Sequence, residues 1–220
     1  GWREDMKEIL RDILRASADL EADHLVIISN VEPEKVEALQ NEAELQGLRF
    51  VRGDYYSETS LDRANVRAAR KVVIIADTLE SSAVSEVDSK TVMAVLTAKS
   101  LARDVYVTAE ILDRKYESYL KHAQCDEILF SRDFARQMLA SSSATNGLSH
   151  IVHELRGQSE SGSRLQTFAI PSAYVNKPYG EFRKSIADTG EDRLLLGLLV
   201  NTGSPNAMKM EALREAQNTS

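Results

Sequence analysis

Cysteine is almost absent from this sequence: Cys125 stands alone, so no disulfide can close within the chain. A small disulfide-stapled scaffold is excluded, and the composition suits a reducing compartment. A lone cysteine of this kind reads as a small, semi-buried residue before it reads as a reactive thiol. Long apolar runs are missing too. None approaches the roughly 18 residues that a membrane-spanning helix needs. The opening Gly1-Trp2-Arg3-Glu4-Asp5 does not have the pattern of a signal peptide. Basic residues are in deficit, with 27 Lys and Arg against 34 Asp and Glu and a net charge of -7. Without a basic stripe, counterion release from nucleic acid has no source, and a polybasic grip on anionic lipid is disfavoured.

Catalytic signatures are equally scarce. There is no G-x-S-x-G elbow, no H-E-x-x-H and no Cys/His cluster. Of the four histidines, His24, His122, His150 and His153, only the last two are spaced to share a helix face, and no third metal ligand accompanies them. They read as solvated or interface residues. An enzymatic reading has little to stand on.

What the sequence does have is rhythm. With 43% hydrophobic and 28% charged residues, 220 residues suffice for a sizeable core: one large domain, or a doubly wound domain with an appendage. Met6, Ile9, Leu10, Ile13 and Leu14 recur at helical spacing. His24 to Ser29 reads as a buried strand, Pro33 opens a helix that Gly47 ends, and Leu48 to Val51 is a second strand. A short helix through Leu61 and Ala64 leads to the strand Lys71 to Ala76. Helices around Val95 and Leu120 then alternate with the strands Val105 to Thr108 and Ile128 to Phe130. This alternation predicts a Rossmann-like doubly wound α/β fold with a parallel sheet. Such a fold should begin with a strand feeding the first phosphate-facing loop. Here that strand is apparently missing ahead of Gly1.

A long helical stretch from Phe134 to Leu155, interrupted near Asn146-Gly147, follows the last of these strands. Gly157 to Ser163 is rich in Ser and Gly and reads as a linker. Beyond it, Leu165 to Ile170 and Leu194 to Val200 are expected as strands flanking a short helix near Phe182, a smaller α+β unit. Met208 to Gln217 is expected as a terminal helix.

In a doubly wound sheet, ligands sit beyond the carboxyl ends of the strands. Asn30, Gly53-Asp54, Asp77 and Glu110 occupy those ends here, and Gly1, Trp2 and Arg3 offer amides and a guanidinium at the first helix. Gly1, Trp2, Arg3, Asn30, Asp54 and Asp77 are therefore the candidate nucleotide-binding residues, for NAD or an adenine nucleotide. No complete G-x-G-x-x-G is present, and Asn30 stands where an acidic residue usually grips a ribose. Asp77 and Glu110 are also the candidates for a divalent cation such as Ca2+. The bland alternative for each is a helix cap or turn former.

The run Phe50-Val51-Arg52-Gly53-Asp54, the segment Leu61 to Ile75, Val107-Thr108-Ala109-Glu110 and Cys125 to Ser131 together resemble the RCK (regulator of potassium conductance) domain of prokaryotic potassium channels. Asp88-Ser89-Lys90-Thr91 is similar to prokaryotic relatives of the Castor/Pollux ion channels, and Glu211 to Gln217 points the same way more weakly. The resemblance implies a Rossmann-like lobe over 1–132, crossover helices that dimerise over 133–156, a linker over 157–163 and a partial C-terminal lobe over 164–220. It further implies a homo-oligomeric gating ring at the cytoplasmic face of the cell membrane, coupled to a pore and answering to nucleotide or calcium, with no nucleic-acid partner. Calcium-gated relatives carry carboxylates at the positions of Asp77 and Glu110; a further acidic position is Leu112 here. The rivals are a soluble NAD(H)-binding subunit of a Trk-type potassium transporter and, more remotely, an NAD-dependent oxidoreductase.

Overall fold

Short β-branched runs cannot satisfy their backbone groups alone, and amphipathic helices must bury one face; packing each against the other answers both needs. The computed structural model describes residues 1–17, 19–79, 83–155, 167–189 and 193–199. Within the first lobe the elements alternate: α1 (Met6–Ala16), β1 (Val26–Ser29), α2 (Pro33–Gln40), β2 (Arg49–Arg52), α3 (Glu58–Arg63), β3 (Lys71–Ile74), α4 (Val84–Leu101), β4 (Tyr106–Ile111), α5 (Glu117–His122) and β5 (Glu127–Phe130). Pro33 occupies the first turn of α2, where its missing N–H costs no intrahelical bond.

All pairings are parallel. β1 pairs with β2, and β3, β4 and β5 form a second ladder in that order; no ladder joins the two parts among the described residues. Because side chains alternate along a strand, each sheet face has its own cluster. Ile27, Phe50 and Ile75 pack with Trp2, Met6 and Leu10 and with Val36 and Leu39 of α2. Val72, Ile74, Val107, Ala109 and Ile111 pack with Leu61 of α3, Ala94, Val95 and Ala98 of α4 and Leu120 of α5. Helices thus cover both faces, and the lobe is Rossmann-like and doubly wound. On the first of these faces the strands β3 to β5 are less well covered, with Val73 and Leu129 exposed.

The described residues divide into two compact units, one over Gly1–Ala135 and one that begins at Arg136. α6 (Ser131–Ala144) and α7 (Leu148–Leu155) are separated at Gly147, whose φ of +84° ends the helical run. Neither helix buries a residue, and Leu139 is 76% and Ile151 57% exposed. In α8 (Tyr179–Asp188) Phe182 is buried, with the rings of Tyr174 and Phe168 at 5.1 and 6.2 Å.

The expected strands at Leu165 to Ile170 and Leu194 to Val200 are corrected: residues 167–170 and 193–199 form none. Apolar composition alone does not make a strand, which needs a partner for its backbone. The expected linker and terminal helix lie outside the described residues, as do Leu165, Gln166 and Val200.

At the amino ends of the strands, Lys99 of α4 meets Asp126 at 2.6 Å, their side chains 7% and 0% exposed. Lys99 also donates to the Val105 carbonyl at 2.7 Å, and Asp126 accepts the Val107 N–H at 2.7 Å. Removing one partner of a buried pair strands the other charge. Lys99→Met should therefore lower stability by about 3–5 kcal/mol, read as a lower urea midpoint with an unchanged slope.

Candidate functional site

Parallel strands deliver all their carboxyl ends to one edge, and the first three residues of the chain run across that edge. The Gly1 amino group donates to the Ile28 carbonyl of β1 at 2.9 Å. The Trp2 N–H donates to Asp77 Oδ2 at 2.8 Å. Arg3 Nη1 lies 2.9 and 3.1 Å from the two Glu110 oxygens, while its Nε and Nη2 each lie 2.9 Å from the Asp5 carboxylate. The Ala76 N–H donates to Glu110 Oε2 at 3.0 Å. Burial works against the Arg3 charge, but hydrogen bonding and attraction from Asp5 and Glu110 outweigh it and raise the pKa.

A cleft of about 460 Å³ opens here, lined by Arg3, Asp5, Ala76, Glu110, Leu112 and Arg132 among others. Of the residues singled out in the sequence, Arg3 and Glu110 line it directly. Trp2 does not: its side chain is 5% exposed and belongs to the core with Met6 and Leu10, because an indole gains more from burial than from solvent. Asp77 is buried and receives the amides of Trp2 and Leu79. Asn30 and Asp54 are brought together, the Asn30 amide donating to the Asp54 carboxylate, at the ends of β1 and β2. Gly53 beside them has φ +153°, and a Cβ there would collide with Ser60 Oγ, so the turn requires glycine.

Glu110 is placed differently from expectation. It lies inside β4, one residue beyond the Ile74–Ala109 pair, because the strand runs to Ile111. Asp77 follows β3, so the two carboxylates do belong to neighbouring strands. Each already accepts protein donors, and no group of three or more His, Cys, Asp or Glu is arranged to hold a metal ion among the described residues. A cation would meet two carboxylates that both already hold protein partners.

Two residues were missed. Arg132, at the start of α6, joins the cleft from a distant part of the chain. Asp88 is 0% exposed on α4, its two oxygens accepting the Leu112 and Asp113 N–H groups, both at 2.9 Å, which pins the loop after β4. Burial pushes its carboxyl up, against the pull of those two amides and Arg132. An acidic residue among the buried apolar positions of α4 was the available signal.

A charged cleft at the carboxyl edge of a doubly wound parallel sheet lies where Rossmann-like lobes place their ligands. Residues 3–109 match the family model of the calcium-activated potassium channel slowpoke-like RCK domain. This lobe belongs to the RCK family. The chain is 29% identical over 152 residues to the calcium-gated potassium channel TvoK of Thermoplasma volcanium, covering 68% of this chain and 41% of that one. It is 27% identical over 140 residues to the putative potassium channel protein YugO of Bacillus subtilis, covering 63% and 39%. The chain thus spans about two fifths of these curated relatives. Among solved structures, the human SLO3 gating ring is similar at 16% identity and TM-score 0.48, covering 74% of this chain and 29% of that one. No helix among the described residues is long and apolar enough to cross a membrane.

Cys125 lies buried at the opposite end of the sheet from the cleft, its thiol 3.4 Å from the Val107 carbonyl. Burial pushes its pKa up to about 11. Native protein should therefore react with a thiol reagent at pH 8 at least about 100-fold more slowly than unfolded protein, since the thiolate is the nucleophile. Equal rates in native and denaturing buffer would place the thiol at the surface.

Proposed function

We propose that this chain is a ligand-sensing, non-catalytic regulatory domain that biases the opening of a potassium channel pore, and that its ligand is a phosphate-bearing nucleotide. The observation that supports this most is the cleft holding Arg3 and Arg132 at the carboxyl ends of β3 and β4. A guanidinium matches phosphate geometry with two parallel donors, which an ammonium cannot do. The Asn30–Asp54 pair supplies a donor and acceptors for a ribose or base. NAD and adenine nucleotides share this chemistry.

A ligand biases a pore only by binding one arrangement of the assembly better than another. Driving a pore from mostly shut to mostly open takes about 5.5 kcal/mol of differential binding, which several copies can share. The exposed apolar residues of α6 and α7 supply a surface for pairing copies, on the way to a ring at the cytoplasmic face of a membrane. A second reading, calcium at Asp77 and Glu110, is favoured by the likeness to TvoK, a calcium-gated channel. The Trk-type regulatory subunit shares the lobe without a covalent pore; apolar spans and a filter segment on the same polypeptide would distinguish the channel.

A thermal-shift panel of calcium, NAD+, NADH, ATP, ADP and AMP tests the ligand class. A ligand at 100 times its Kd that binds only the folded state stabilises by about 2.7 kcal/mol. Asp54→Ala should weaken the stabilising nucleotide at least about fivefold and leave the melting temperature of the free protein nearly unchanged. An equal loss in the free protein would make Asp54 a turn residue only.

For assembly, light scattering at tens of micromolar should report at least a dimer, and Ile151→Asp should shift it toward monomer by placing a charge in the apolar contact. A monomer in both proteins would remove the α6–α7 interface.

A further inference from the structure

A two-donor grip on phosphate by Arg3 must recruit a nitrogen that already faces a protein carboxylate, since Nε, Nη1 and Nη2 each hold one. Its Nε and Nη2 face Asp5, and its Nη1 is shared between both oxygens of Glu110. With the Nε–Nη2 side held by Asp5, the donor pair left to a ligand is the one that presents both Nη atoms, and its Nη1 is the atom Glu110 holds, from a side chain 8% exposed. We infer that an anionic ligand entering the cleft takes the Arg3 guanidinium from Glu110, so that Glu110 is a built-in competitor for phosphate. This rests on the reading of the cleft as a phosphate site.

The exchange has a structural consequence. Arg3 belongs to the segment that packs with β1 and β2 through Trp2 and α1, while Glu110 stands on β4. The Arg3–Glu110 pair ties these two parts together, beside Trp2 N–H to Asp77. A ligand that takes Arg3 loosens that tie. Binding is thereby felt between the α1 segment and β4. Glu110 keeps the Ala76 amide but loses its counter-ion in a largely desolvated position, and that loss opposes ligand binding.

The direction of the mutational effect follows. If Glu110 competes for Arg3, removing its charge should tighten phosphate binding; if it only positions Arg3, removal should weaken it. Trp2, the single tryptophan of the sequence, is buried beside Arg3 and serves as a fluorescence reporter. Inorganic pyrophosphate is titrated at constant ionic strength, with calorimetry as the second readout. Glu110→Gln, whose amide oxygen can still accept from Ala76, should bind at least about fivefold tighter than the unaltered chain. Asp5→Asn should move the same way by less, Glu37→Gln, at an exposed position of α2 outside the cleft, should stay within about twofold as a control for the general field, and Arg3→Ala should lose at least about tenfold.

Pyrophosphate binding that is unchanged or weaker in Glu110→Gln overturns the exchange while leaving the phosphate cleft standing. No saturable binding in the unaltered chain or in Glu110→Gln overturns both. A Trp2 response to calcium alone, lost in Glu110→Gln, makes Glu110 a cation ligand and also overturns the exchange. Should Glu110→Gln fail to fold, the exposed Asp5→Asn decides: tighter binding supports the exchange and unchanged binding ends it.

Discussion

Gly1, Trp2 and Arg3 reach across the carboxyl edge of the sheet. The Gly1 N–H meets the Ile28 carbonyl, the Trp2 amide meets Asp77 and the Arg3 guanidinium meets Glu110, while Ile75 packs with the apolar cluster of β1 and β2. Trp2 adds apolar burial to the polar ties by lodging in the α1–α2 core. Successive contacts of this kind, one residue to β1, the next to the loop after β3 and the next to β4, place Arg3 in the charged cleft.

The carboxylates around that edge illustrate how burial redirects charged groups. A buried carboxylate needs donors, and backbone amides at strand ends and helix starts are the nearest supply. Asp77 takes two amides, Asp88 takes two and Glu110 takes one plus an arginine. Each therefore positions backbone as well as carrying charge. Arg3, about one third exposed, is the member of this network with both a solvent path and the chemistry to trade partners. At the opposite edge Lys99 and Asp126 have no such path, and that pair acts as a fixed post between α4, β4 and β5.

The α6–α7 region poses a different physical problem. Helices this short gain little from propensity and draw stability from packing an apolar face. Here the apolar residues stay exposed: Phe134, Leu139, Ile151 and Leu155 all stand out from the surface. A second surface is what such faces call for.

The sequence by itself determined the class of fold, because local periodicity reports which face of each element is apolar. β1, α2, β3 and the break at Gly147 were all legible as β-branched runs, a proline at a helix start and a glycine with positive φ. The family resemblance was legible for a related reason, since its residues cluster at strand ends and turns. Where legibility failed, the information was not local. Leu194 to Val200 reads as a strand by composition, yet residues 193–199 form none, since a strand exists only with a partner to pair it. Trp2 and Arg3 are adjacent, yet one is core and the other lines the cleft; only the packing of α1 against the sheet separates them. Glu110, Arg132 and Asp88 were assigned their partners by the crossing of distant segments, Arg3 to Glu110 across 107 positions and Asp88 to Leu112 across 24. Periodicity sees the face of an element, and only the tertiary structure decides which charge stands opposite it.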